Sequence, residues 1–486
     1  MVIERSLSIA RSLVFANRPH ATMPEMARTV PQFRTRTATD RDPVAPARPT
    51  PTIDSATSSD ARAKCSLALN NMRGMVIVTV LAFHSFLAYL GFLGPKPFPF
   101  DKSPFEWRAF PIVDSHRWSG FDIFCAWQDV YLMTLMFFLS ALFTWSSLSR
   151  KGSLKFLIER FTRLGIPYVF ALVVLMPIAL YPAYRVTAAD PSLAAYWQHY
   201  RALPFVPNGP MWFLWQLLAL TVITAALYRI APRFVTFLGR RTASAKTHPS
   251  HFFIGLTAAS AIVYVPMAMI FTPMNWSNHG ILAVQFCRPL HYVVYYLAGL
   301  AVGAYGLERG LLAPDGKLAR SWATWLGLAV GFQILWMGLS GLAMIDAASH
   351  PLLLNVAVDI AFVLACASGG FFVMGACLRF ATRPSPILNN LAGKSFGMYL
   401  FHYVFVVWLQ YALLGVALFA LAKAMIVLAG TLLLAWATTA AMRFIPFGSL
   451  LLGSERRSLT ATLPPRQATR RPENDTRPAE QGAVAI

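Results

Sequence analysis

The amino-acid sequence predicts an all-α polytopic membrane protein with about ten transmembrane helices and both termini on the cytoplasmic side. Three observations lead to this fold class. The 486-residue chain is 56% hydrophobic but only 13% charged, about half the charged fraction of a typical soluble domain. Apolar runs of about 20 residues, the length that crosses a bilayer, recur along the chain. Basic residues are concentrated in alternate loops, as expected when they set membrane topology.

The apolar runs predict ten spans and divide the chain into three parts. The spans are predicted at 72–93, 130–148, 164–184, 211–228, 252–271, 290–306, 322–345, 352–378, 396–414 and 425–442. Together they form a membrane domain over residues 66–450. Residues 1–65 and 451–486 are rich in polar, basic and proline residues. They are predicted to be disordered cytoplasmic tails, because such segments bury too little apolar surface to fold alone.

The distribution of positive charge supports the ten-span topology. With the N-terminus inside, the inner loops between spans carry sixteen Lys and Arg residues, and the longer outer loops carry eight. The net charge of +21 is therefore attributed to topology. Binding of nucleic acid is not expected, because no basic stripe is interleaved with aromatic residues for base stacking. These features predict a multi-pass protein of the cell inner membrane.

The five cysteines do not predict a structural framework. They are scattered along the chain, without a C-x-x-C motif or histidines at metal-ligand spacing. Neither a disulfide framework nor a metal site is expected.

The first predicted span carries the clearest candidate site. Arg73 lies at its inner edge and His84 follows eleven residues later. At 100° per residue the two side chains fall within about 20° of one helix face, and they are about 16 Å apart along the axis. This places His84 near the middle of the bilayer, where ionisable residues usually have a function. A histidine bonded to a neighbouring helix, with Arg73 as a topology anchor, is an equally open interpretation.

Four segments, in order, resemble the motifs of the acyltransferase-3 family of integral membrane acyltransferases. Arg73, Gly74 and His84 are similar to its opening Arg-Gly…Phe-His signature. The other segments are FLIERFTRLGIPY (156–168), GPMWFLWQLLAL (209–220) and SFGMYLFHYVFVVW (395–408). The similarity covers about residues 66–450, and the general pattern is also similar to the glucan-modifying branch of the family.

The resemblance assigns roles to seven residues. It implies that His84 and Arg73 are catalytic and that Arg160 and Arg163 bind a phosphate of acyl-CoA, since guanidinium groups bind phosphates bidentately. A role as topology anchors explains the charge of these two arginines equally well. The resemblance also makes Tyr399, His402 and Trp212 candidates for lining a substrate cavity, with a packing role open for His402 and Trp212.

The resemblance implies a membrane O-acyltransferase. Such an enzyme would move an acetyl or succinyl group from cytosolic acyl-CoA to a hydroxyl of a carbohydrate or glycolipid at the outer side. Acyl-CoA is then a donor substrate, and no tightly bound cofactor is expected. The reaction needs a base near neutral pH, which an imidazole provides. A secondary transporter or flippase is the alternative, but the second copy of Arg-x10-His that two related halves would supply is not found.

Overall fold

The computed structural model describes residues 53–273, 275–345 and 351–452. The predicted tails lie outside these residues, except for residues 53–65 and 451–452. Within the described part, ten long helices follow one another along the chain, one for each predicted span, and we call them the first to the tenth span. Their bounds are Ile53–Phe86, Ser119–Ala141, Ser153–Arg185, Trp212–Ile230, Pro249–Phe271, Pro289–Tyr305, Trp322–Ile345, Leu352–Phe380, Pro386–Ala412 and Ala420–Met442.

Eight of these helices are long enough and apolar enough to cross a membrane. The sixth span has only 17 residues. The ninth span carries His402, Gln410 and three tyrosines, which lower its mean hydropathy. The all-α polytopic membrane fold is thereby confirmed.

Short elements connect the spans. The short α-helices are Thr144–Lys151, Leu193–Ala202, Pro232–Arg241, Lys317–Arg320 and Gly448–Leu451, and the 3₁₀ turns are Leu87–Tyr89, Glu106–Arg108, Gly209–Met211 and Ala243–Lys246. Two strands, Ser277–His279 and Leu282–Val284, pair antiparallel as a hairpin between the fifth and sixth spans. The hairpin lies in a predicted outer loop.

Several predicted boundaries differ from the structure, and the starts of the first two spans show why. The first span begins at Ile53, so the domain border predicted at residue 65 falls inside a helix. Pro51 is the last proline of the tail, and the alanines and basic residues that follow Ile53 favour helix. The second span begins at Ser119 rather than at residue 130. Polar residues such as Asp122 reduce the hydropathy of its first turns, which is why the sequence predicted a loop there.

The third span contains two wide π turns, Phe161–Gly165 and Ala171–Leu175. A proline follows each of them after one intervening residue, at Pro167 and Pro177. Proline cannot donate the backbone hydrogen bond that continues an α-helix, and a wider turn accommodates the missing donor. The prolines therefore account for both irregularities.

Close packing of small residues joins the spans. Gly299 and Gly303 of the sixth span lie directly against backbone carbonyls of the second span, where a β-carbon would collide with Phe138 and Leu142. Small residues allow this approach of helices in a bilayer. The buried apolar residues form two main clusters, one centred on the first, third, fourth and ninth spans and the other on the second, fifth, sixth and eighth.

Candidate functional site

Three arginines meet at the predicted inner end of the bundle. Arg73 of the first span and Arg160 and Arg163 of the third interact electrostatically with one another. Within the described residues none of the three forms an ion pair, and Glu159, the acidic neighbour of Arg160, pairs with Lys151 instead. The structure thus brings together the three arginines named from the sequence. We call them the arginine cluster; because none of its members is in an ion pair among the described residues, its positive charge suits an anionic ligand.

The π turns position two side chains of the third span. Arg163 lies in the turn Phe161–Gly165, and Tyr168 follows in the next segment of helix. Arg73 lies over the ring of Phe143, with its guanidinium carbon 5.5 Å from the ring centroid. Local backbone geometry and a cation–π contact therefore help to hold the cluster.

Two histidines from distant parts of the sequence lie side by side. The ring centroids of His84 and His402 are 5.0 Å apart, and we call these residues the histidine pair. The first span ends at Phe86, so His84 lies in its last turn, closer to the predicted outer end than the predicted span of 72–93 implies. The helix tightens there into the turn Leu87–Tyr89. The structure thus joins His84 with His402, while Arg73 lies about 16 Å away along the same helix.

Hydrogen bonds from the ninth span fix the histidine pair. Gln410 Nε2 donates to the backbone oxygens of His84 (3.0 Å) and Ser85 (3.2 Å). Both carbonyls lie in the last turn of the helix, where backbone acceptors commonly lack an intrahelical partner. His402 Nδ1 bonds to the Tyr399 carbonyl at 2.6 Å. Because a carbonyl only accepts, Nδ1 must carry the proton, and in the neutral ring Nε2 presents its lone pair.

One ring nitrogen of each histidine is free to exchange a proton. His84 Nδ1 and His402 Nε2 are shielded from solvent and have no hydrogen-bond partner among the described residues. Buried polar atoms are nearly always bonded in proteins, and exceptions point to strain, a bound group or a catalytic role. Two such atoms on adjacent imidazoles form a candidate proton-transfer site.

Tyrosines of the ninth span connect the histidine pair to the loop before the fourth span. The Tyr399 hydroxyl donates to the Pro210 carbonyl. A β-carbon at Gly209 would lie 3.0 Å from the ring of Tyr403, which itself packs 5.8 Å from His84. Gly209 has a positive φ of 45°. Glycine is therefore favoured both by this backbone conformation and by the lack of room for a side chain. Tyr399 therefore lies beside the histidine pair.

Two further polar residues belong to this region and were not identified from the sequence. Asn208 is 7% exposed, and its Nδ2 has no hydrogen-bond partner among the described residues. The Tyr168 hydroxyl lies near the Asn208 side chain. Tyr168 ends the segment FLIERFTRLGIPY and Asn208 immediately precedes the segment that opens at Gly209. Their position beside family-like motifs was the available signal.

The hairpin between the fifth and sixth spans reaches toward the same region. The Tyr168 hydroxyl donates to the Ile281 carbonyl, and Trp215 Nε1 donates to the Ala283 carbonyl at 3.2 Å. A segment predicted to be an outer loop therefore contacts the third and fourth spans.

Trp212 is directed away from the histidine pair. Its ring stacks on Tyr292 with centroids 5.8 Å apart and meets Trp276 edge-on at 5.6 Å. These contacts belong to the packing of the fourth span against the sixth span and the outer loop. Trp212 was interpreted either as a cavity-lining residue or as a packing residue, and the contacts seen in the structure are those of aromatic packing.

A second polar centre lies among the second, sixth and eighth spans. Arg288 donates to both carboxylate oxygens of Asp129, at 3.1 and 2.6 Å. Nearby, fully buried His291 lies 3.5 Å from the thiol of Cys366. We call these four residues the Arg288 centre. Across residues 53–273, 275–345 and 351–452, no three His, Cys, Asp or Glu side chains converge as a metal site would require.

Comparison with known proteins identifies the family of the chain. The model of the acyltransferase domain of the acyltransferase-3 family matches residues 66–440, which is most of the sequence and includes the arginine cluster and the histidine pair. Searches of curated proteins and of solved structures gave no significant match. The chain is therefore a multi-pass membrane acyltransferase that belongs to the acyltransferase-3 family.

Proposed function

We propose that this acyltransferase is an inner-membrane O-acyltransferase that moves an acetyl or succinyl group from cytosolic acyl-CoA to a hydroxyl of a carbohydrate or glycolipid at the outer side. The observation that carries the proposal is the histidine pair, whose His84 Nδ1 and His402 Nε2 are buried and unbonded among the described residues. Acyl transfer to a hydroxyl requires such a proton acceptor.

The arginine cluster is the proposed site for the phosphates of the donor. Its three guanidinium groups have no carboxylate partner among the described residues, and charge-assisted bonds to phosphate are strong. Arg73 and His84 are on one continuous helix, about 16 Å apart along its axis. The extended pantetheine arm of coenzyme A would lie along this distance, with its thioester at the histidine pair and its phosphates at the inner edge.

In the proposed reaction the acceptor hydroxyl attacks the thioester carbonyl. His84 takes the hydroxyl proton as the new C–O bond forms. The C–S bond then breaks, and the proton passes to the departing coenzyme A thiolate, so that no proton is gained or lost overall. His402 lies beside His84 with its Nε2 lone pair unbonded, and we assign it to hold the acceptor hydroxyl or to share the proton.

The tetrahedral intermediate also needs donors for its oxyanion. Asn208 Nδ2 is a buried N–H group without a partner among the described residues, and its loop packs against Tyr399 and Tyr403 beside the histidine pair. We therefore assign Asn208 as a donor to the oxyanion. In this assignment the hairpin and Tyr168 hold the Asn208 side chain in position.

The experiment is acyl transfer by the purified full-length protein. Radiolabelled acetyl-CoA or succinyl-CoA is supplied with membrane glycans, and the product is scored as a base-labile ester. We expect label in the glycan fraction with the wild-type protein and with His248→Ala, whose histidine is exposed in a predicted inner loop. His84→Ala should give none. Equal labelling by His84→Ala, or no labelled ester from any glycan fraction, would contradict the proposal.

A further inference from the structure

A cleft of about 450 Å³ opens at the predicted inner side, between the first, eighth and ninth spans. Its lining includes Asn71 and Met75 of the first span. These residues are two positions before and after Arg73, so they point to nearly the opposite side of the helix. The cleft is therefore separate from the arginine cluster.

Asn71 presents an unused acceptor to this cleft. Its side chain is buried, and its Nδ2 donates to the carbonyls of Ala381 (2.7 Å) and Arg383 (2.9 Å). Both partners are acceptors, so the nitrogen must face them and the amide orientation is fixed. Oδ1 is left buried and without a partner among the described residues. A group that fits here must supply an N–H or O–H donor.

The same cleft offers a site for an anion. Arg383 lines it, is exposed, and forms no ion pair within the described part of the chain. The adjacent ninth span begins at Pro386, capped by the side chain of Ser385, which accepts from Leu388 N. Pro386 carries no N–H and the Leu388 amide is bonded to the cap, so it is mainly the dipole of this long helix that attracts negative charge, and it adjoins a cation here.

The remaining wall is apolar and faces the lipid. Met75, Leu388 and Phe380 line it, and Phe380 is 63% exposed. A ligand matched to all three features has a phosphate, a hydrogen-bond donor beside it and a hydrocarbon chain. We propose that the cleft binds one phospholipid whose headgroup carries an N–H or O–H, with its phosphate on Arg383, its donor on Asn71 Oδ1 and an acyl chain along Phe380.

Lipid binding to the purified full-length protein tests this proposal by native mass spectrometry. Phosphatidylethanolamine, phosphatidylglycerol and phosphatidylcholine with identical acyl chains are titrated separately. The first two carry donors and should bind, and a difference between them reports whether an amine or a hydroxyl is preferred. Phosphatidylcholine has no donor and should bind roughly tenfold more weakly, as loss of a buried hydrogen bond predicts.

Substitutions locate the binding. Arg383→Gln should weaken phosphatidylethanolamine and phosphatidylglycerol binding roughly tenfold, because a charge-assisted bond is lost. Arg379→Gln is the matched control, since Arg379 is an exposed arginine of the same region that does not line the cleft. Equal binding of phosphatidylcholine, equal effects of the two substitutions, or competitive displacement of the lipid by coenzyme A would overturn the proposal. None of these readouts depends on acyl transfer.

Discussion

The histidine pair and the Arg288 centre both lie in the helix bundle, but they differ in charge pairing. In the Arg288 centre, two hydrogen bonds join the guanidinium to Asp129 and tie the start of the sixth span to the second, although Arg288 Nε and His291 Nδ1 have no partner among the described residues. In the histidine pair, one nitrogen of each ring is likewise unbonded among the described residues, and neither ring belongs to an ion pair there.

This difference separates a structural role from a chemical one. Separating a buried ion pair leaves a charge without compensation, which is strongly unfavourable. The Arg288 centre therefore fixes the relative position of two helices. An imidazole changes its protonation near neutral pH, and a nitrogen without a partner can do so without breaking a contact. The same bundle thus has a charged pair that joins two helices and, at the proposed reaction centre, two adjacent imidazoles without charged partners.

The largest expected effect is on catalysis at the histidine pair. His84→Ala should reduce kcat for acyl transfer by about 10²- to 10⁴-fold, the usual contribution of a general base, while membrane levels stay normal. His84→Gln, which keeps hydrogen bonding but not basicity, should be impaired to a similar degree. If His84→Gln turns over like the wild type, the base must be sought at His402.

Substitutions in the Arg288 centre should change the free energy of unfolding instead of kcat. Asp129→Asn leaves Arg288 without compensation and should lower the free energy of unfolding by about 3 kcal/mol, the lower part of the range for broken buried pairs, because Asp129 is partly exposed. Adding Arg288→Gln should restore part of the loss. Thermal unfolding in detergent measures both. A large fall in kcat of Asp129→Asn at unchanged stability would place this centre in the reaction.

Donor binding should be affected next. Arg160→Ala and Arg163→Ala should each raise the KM for acyl-CoA roughly ten- to a hundredfold, and the double variant should be affected more, since each lost charge-assisted bond costs about 1.5–3 kcal/mol. The acceptor KM should remain the same. Arg229→Ala removes an exposed arginine of a predicted inner loop outside the cluster and is the control. An unchanged donor KM in the well-expressed double variant would reduce these arginines to topology anchors.

The smallest effect is expected from removing residues 1–50. Both polar centres and the arginine cluster are formed by residues after this segment, so kcat/KM should change by less than about twofold, as for substitutions remote from packed features. Acyl-transfer assays on the truncated protein at matched membrane levels measure this. Complete loss of activity would show that the N-terminal segment takes part in function.

The sequence was informative where the physical signal is repetitive or matches a family motif. Apolar runs predicted all ten helices, because the bilayer requires length and hydrophobicity from each span independently. Arg73, Arg160 and Arg163 were named in advance, and so were both members of the histidine pair. That His84 and His402 touch could not be derived, since the contact depends on how the first and ninth spans pack.

Single polar residues left no comparable signal. Asn208 and Tyr168 are placed in this region by individual contacts, and individual contacts produce no periodic pattern in the sequence. Trp212 had two open roles, and its packing on Tyr292 could not be seen from the sequence. The start of the second span was misplaced because Asp122 and its polar neighbours make the first turns of this helix resemble a loop.

The π turn Phe161–Gly165 gives the third span one residue more than a regular α-helix of the same length would hold. Losing one residue there would restore ordinary α-helical spacing, so the side chains on both sides of the turn would keep their faces. The same deletion in a regular part of the span would rotate every side chain beyond it by about 100° around the axis. Between Arg160 and Tyr168, the π turn is therefore the place where the span tolerates a deletion without separating the proposed donor end of the enzyme from its proposed reaction centre.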